Sequence, residues 1–106
     1  YVKLKLCKHP GIRENIALIE HARALGLNVV YGNGVQGPVG NRQEAFVYLE
    51  SGLETAIESI GFKKIAETLP SVGMRVEDGN LVLEEATDPA EIFEAADPIA
   101  TIKLLA

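Results

Sequence analysis

The chain has 106 residues, 47% of them hydrophobic and 24% charged, a size and balance that fit one ordinary globular domain and exclude a disordered chain. Its 15 acidic residues outnumber its 10 basic ones, and the lysines and arginines are scattered, which argues against nucleic acid or an anionic membrane as partner. The single cysteine excludes an internal disulfide and a cysteine-rich zinc site, and no secretory leader or membrane-length apolar run is present, a profile expected of a reduced, cytoplasmic protein.

The first element is a strand in YVKLKLC. Side chains alternate along a strand, so Val2, Leu4 and Leu6 form an apolar face while Tyr1, Lys3, Lys5 and Cys7 form the other. A strand pattern that begins at Tyr1 without a methionine implies that further chain precedes it. Pro10 and Gly11 break the pattern, and Ile12, Ile16, Ile19 and Ala22 then recur at helical spacing as far as Leu25, with Gly26 as the stop. Val29, Val30 and Tyr31 make a second short strand that runs into glycines. Asn41 and Glu44 have the spacing of a capping box and predict a helix over 42–51, ended by Gly52, with Ala45, Phe46, Tyr48 and Leu49 as its apolar face. TAIESIGF predicts a third strand, followed by a helical stretch around Lys63 to Thr68 that Pro70 closes.

Three strand-helix units in succession imply parallel strands joined by right-handed crossovers. Parallel sheets are normally covered on both faces, so the lysine face is not simply solvent. The remainder differs in style. MRVEDGNLVL predicts a β-hairpin turning at Asp78-Gly79, and Asp88-Pro89 and Asp97-Pro98 are helix-start signals, the last helix carrying Ile99, Ile102, Leu104 and Leu105. The chain thus divides into residues 1–70, an α/β unit, and residues 71–106, a hairpin and helical tail.

KLKLCKHPGI, EHARALGLNVVYGNG and AIESIGF together resemble the C-terminal part of the barrel in the enolase superfamily, in its mandelate racemase/muconate lactonizing enzyme family and nearest the muconate cycloisomerase and o-succinylbenzoate synthase branch. The resemblance covers roughly residues 1–65 and implies the last three βα units of a (β/α)8 barrel, strands six to eight with their helices. The family's sixth strand carries an acid/base lysine before a Gly-Gly-Ile turn; here the turn is Pro10-Gly11-Ile12 and the matching lysine is Lys5. The implied activity is that of a lyase or isomerase, with a lysine base taking the proton next to the carboxylate of a small substrate and magnesium stabilising the enediolate. A lysine does this work where burial and neighbouring positive charge disfavour its protonated form, and Lys3, Lys5 and Lys8 crowd one strand end. The racemase branch has a histidine at the end of the next strand; none occurs between Val29 and Gln36, which favours the lysine branch.

The resemblance makes Asn33, in the loop after the second strand, a substrate contact, and Glu58, at the end of the third, a substrate-facing acid. Glycine exposes backbone N–H groups, so GNGVQGPVG has a second reading as a phosphate cradle, but it lacks the lysine and hydroxyl ending of a P-loop. Cys7 has no histidine and acid partners at a recognisable spacing and is expected as a small inward filler; His21 is expected to pack or to lie on the surface, and Lys8 to be a solvated loop charge. The family's three metal carboxylates and its other acid/base lysine come from earlier strands and have no counterpart here, so no metal site is expected in this chain, and the isolated chain is expected to be inactive. Open strand edges and an uncovered inner face predict self-association. The competing expectation is a self-contained small α/β module that binds a ligand or a partner on the Lys3 and Lys5 face.

Overall fold

A computed structural model describes residues 1–9, 11–33, 35–64 and 73–84. Its elements are β1 (Val2–Leu4), α1 (Ile12–Ala24), β2 (Val29–Tyr31), α2 (Pro38–Glu50), β3 (Met74–Glu77) and β4 (Asn80–Leu83), with single 3-10 turns at Leu6–Lys8 and Gly61–Lys64. The architecture is mixed α/β.

β1 and β2 pair in parallel, Val2 opposite Val29, Lys3 opposite Val30 and Leu4 opposite Tyr31. Because side chains alternate, Val2, Leu4, Val29 and Tyr31 share one face of this sheet, and that face carries the core. Leu4, Val29 and Tyr31 are buried there with Leu6, Ile19 and Ala22 of α1 and Val47 of α2, while Val2, Ile12, Ile16, Tyr48 and Leu53 pack around them. Full burial of side chains of this size contributes about 1.5–3 kcal/mol each, enough to hold two short strands that could not stand alone. Lys3 and Val30 look out from the opposite face.

α1 matches its predicted span. Gly26 takes the left-handed conformation at φ +75°, and Leu27 N–H closes back on Ala22 O at 3.0 Å. Its far end is tied to α2 by Arg23, which donates to Ser51 O at 2.8 Å.

Four sequence expectations are corrected. First, β1 ends at Leu4; Lys5 continues extended at φ −138° and ψ 133°, and the chain then turns into the 3-10 segment. Cys7 lies in that turn and is exposed, so it fills nothing. Second, α2 starts at Pro38, not after Asn41, because Gly37 precedes a proline whose locked φ suits the first helical position. Asn41 and Glu44 are interior and fully buried. Third, of the residues expected on the apolar face of α2, Ala45 is buried and Tyr48 packs against the core, but Phe46 and Leu49 are exposed and Val47 is buried instead. Fourth, the expected third strand shrinks to one parallel bridge between Tyr31 and Ile57. The Thr55 hydroxyl donates to Val29 O at 2.5 Å, taking a carbonyl that a longer ladder would have used, and Tyr48 OH donates to Thr55 O.

The hairpin is as expected. β3 and β4 pair antiparallel from Met74 opposite Leu83 to Glu77 opposite Asn80, and Asp78 and Gly79 both take positive φ at the turn. It is fastened to α2 by Arg42, whose guanidinium donates to Gly73 O at 3.1 Å and Glu84 O at 3.2 Å. Of the helical stretch expected around Lys63 to Thr68, Lys63 and Lys64 lie in the 3-10 turn at Gly61–Lys64; the rest of it and the two proline-started helices of the tail lie outside the described residues. No described helix is long and apolar enough to cross a membrane.

Candidate active site

The carboxyl ends of parallel strands are where open and closed α/β sheets place their ligands, since strand-to-helix loops converge there. Three chain segments meet at that edge here. Lys5 directly follows Leu4, Gly32 and Asn33 follow Tyr31, and Glu58 follows the bridge residue Ile57. Backbone hydrogen bonds align them: Gly32 N–H donates to Leu4 O at 3.2 Å and Glu58 N–H to Tyr31 O at 3.0 Å.

The close approach of the last two segments depends on Gly32. Its φ is +114°, and a β-carbon there would sit 2.9 Å from the backbone carbonyl of Glu58. Only glycine allows this backbone and this proximity together.

Extended backbone at Lys5 keeps it on the same side as Lys3, away from the helices. Lys5 is half-buried; its carbonyl accepts from Lys8 N–H at 3.1 Å, and its ammonium has no hydrogen-bonding or ionic partner among the described residues. The Glu58 carboxylate pairs with Lys3 rather than Lys5. Lys8 is exposed, as is His21 on the surface of α1. The crowding of three lysines is therefore relieved at one of them by an acid from a distant segment, a pairing that residue spacing along the chain cannot reveal.

Asn33 is built into its loop at several points. Its side-chain oxygen accepts from Val35 N–H at 3.2 Å, an Asx-type turn, and its amide nitrogen lies 3.5 Å from Cys7 Sγ. Its backbone N–H donates to Glu44 Oε2 at 3.2 Å, and its carbonyl accepts from the Asn41 side chain at 3.2 Å. Glu44 also accepts from Asn41 at 3.0 Å and from the Ser59 hydroxyl at 2.5 Å, while Asn41 Oδ1 accepts from Phe62 N–H at 2.9 Å. Asn41, Glu44 and Ser59 are all fully buried. The sequence signal for this network was the Asn41–Glu44 pair, present but read as a helix cap.

Beneath the edge, the Tyr31 hydroxyl donates to Asn15 Oδ1 at 3.0 Å, and Asn15 in turn donates to Gly11 O at 2.7 Å, locking the start of α1 under the sheet. Burial pushes the Tyr31 phenol far above its ordinary range, with the charges of Glu44 and Cys7 adding to the shift.

Among the described residues no three His, Cys, Asp or Glu side chains come together in a way that could hold a metal ion. No protein-family model matches the chain, and no curated protein and no solved structure matches it either.

Proposed function

We propose that this chain forms the C-terminal part of an enolase-type lyase or isomerase, with residues of its sheet edge acting on a small carboxylate substrate. The observation that carries the proposal is the convergence of Lys5, Asn33 and Glu58 at the carboxyl edge of parallel strands whose other face is sealed by helices. In this account the sheet belongs to the last three βα units of a (β/α)8 barrel, and the lysine face is the barrel's interior.

Lys5 is the base. Its neutral amine takes the proton from the carbon next to the substrate carboxylate, and the electron pair of that C–H bond passes into the carboxylate. Lys5 is half-buried and shares its face of the sheet with Lys3. The amide of Asn33 orients the substrate, and Glu58, restrained by Lys3, faces it from the third segment. The described residues do not by themselves fit the magnesium that the resemblance implies.

The test is exchange of the α-proton in deuterium oxide, using the full-length gene product and a panel of N-acylamino acids, dipeptides and muconolactone. Wild-type protein exchanges at least one of these carboxylates, and Lys5→Ala does not. Exchange that survives Lys5→Ala rejects the base assignment. A wild-type protein that exchanges none of them, but binds one, supports the self-contained binding module instead.

A further inference from the structure

We propose that Glu44 is a positioning residue for the sheet edge: one buried carboxylate oxygen on α2 holds the loop bearing Asn33 and the segment bearing Glu58 in fixed relation. The assignment of those two residues as substrate-facing is the one proposed above, and the inference rests on it. Glu44 itself touches neither the open face nor solvent.

The geometry concentrates three donors on one atom. Glu44 Oε2 accepts from Asn33 N–H, from Asn41 Nδ2 and from Ser59 Oγ. The first donor belongs to the loop after β2, the second to α2, and the third is the residue next to Glu58. Asn41 repeats the pattern one turn away, donating to Asn33 O and to Ser59 Oγ and accepting from Phe62 N–H. Asn33 is therefore gripped through both its backbone N–H and its carbonyl.

Core packing alone does not account for Glu44. A carboxyl buried at 0% exposure is a cost to the fold, and its second oxygen, Oε1, is buried without a hydrogen-bond partner among the described residues. An apolar residue of similar volume would pack there with less penalty. What it could not do is tie Asn33, 11 residues before it, and Ser59, 15 residues after it, to a common atom.

Amide hydrogen exchange on the full-length gene product tests the proposal. Glu44→Ala is expected to speed exchange at Asn33 and Phe62 about ten- to a hundredfold, leaving the hairpin amides of β3 and β4 unchanged. Glu44→Gln keeps one acceptor oxygen and is expected to restore most of that protection. Val47→Ala, a core truncation on the same helix, is expected to loosen α2 and β2 evenly. An even pattern in Glu44→Ala, or unaltered protection at Asn33, overturns the proposal. Should Glu44→Ala fail to fold, Ser59→Ala carries the test: it cuts the segment bearing Glu58 from Glu44 and leaves the Asn33 N–H bond in place, so faster exchange is expected at Glu58 and not at Asn33, and unaltered protection at Glu58 overturns the proposal.

In the α-proton exchange assay, Glu44→Ala is expected to raise KM by about tenfold or more while changing kcat less, because Asn33 binds and Lys5 reacts. Loosened loops with unchanged KM overturn the link to substrate. A wild-type protein without α-proton exchange overturns the enzyme assignment alone, and the amide pattern then still decides whether Glu44 holds the two loops.

Discussion

The ammonium of Lys3 meets the carboxylate of Glu58 across the open face of the sheet, joining residues 55 positions apart in the chain. Their side chains remain 38% and 54% exposed, and pairs so open to water are worth only about 0.2–1 kcal/mol. Glu58→Gln is therefore expected to change the denaturation midpoint little, within about 1 kcal/mol of stability. Its larger expected effect is on α-proton exchange, which should fall while the fold is intact. A stability loss of several kcal/mol would show that Glu58 is structural.

Gly32 sets the distance between the second and third segments. Gly32→Ala places a β-carbon against the Glu58 backbone at a φ of +114°. Urea unfolding is expected to show a loss of about 1–3 kcal/mol, from strained backbone alone and before any repacking. Wild-type stability in the variant would mean that the two segments do not approach as described.

Tyr31 makes stability depend on alkaline pH. Its folded-state phenol is held above the unfolded value, so its contribution is fully present below pH about 10 and is lost as pH rises toward the folded value. Tyr48, raised first by burial and then by Glu54, acts in the same direction. Tyr31→Phe should remove the larger part of this slope and also cost about 1–3 kcal/mol at neutral pH, since Asn15 Oδ1 then loses its donor. Denaturation curves at pH 7 and 10.5 measure both effects.

These residues also show what can be read from a sequence of this kind. α1 was legible because Ile12, Ile16, Ile19 and Ala22 fall on one helical stripe and Gly26 supplies the stop, all of it local. The hairpin was legible because Asp78-Gly79 encodes its own turn. α2 was misjudged at its start because Asn41 and Glu44 offer the same donor and acceptor to a helix end or to distant loops, and here the distant loops win. Hydrophobicity places Phe46 and Leu49 on the apolar face of α2, yet both are exposed and Val47 is buried. At the site, alternation placed Lys3 and Lys5 on one face, but the partner of Lys3 is set by tertiary structure and has no signature along the chain.

β1 pairs only with β2 among the described residues, and the face bearing Lys3, Lys5 and Val30 has no helix over it among them. Such an edge offers unpaired backbone groups to another strand. The isolated chain of 106 residues is expected to elute as a dimer or larger species in size-exclusion chromatography with light scattering. A monomer at all concentrations would count against the open-sheet account.

The central claim is that Lys5 removes a proton next to a carboxylate. The most direct measurement is the rate of α-proton exchange in deuterium oxide by the full-length gene product, wild type against Lys5→Ala and Lys5→Arg. The account predicts exchange by wild type and a loss of at least about a hundredfold in both variants, since a general base contributes roughly that much and arginine stays protonated. Exchange at the wild-type rate in Lys5→Ala, with the fold verified by circular dichroism, would contradict it.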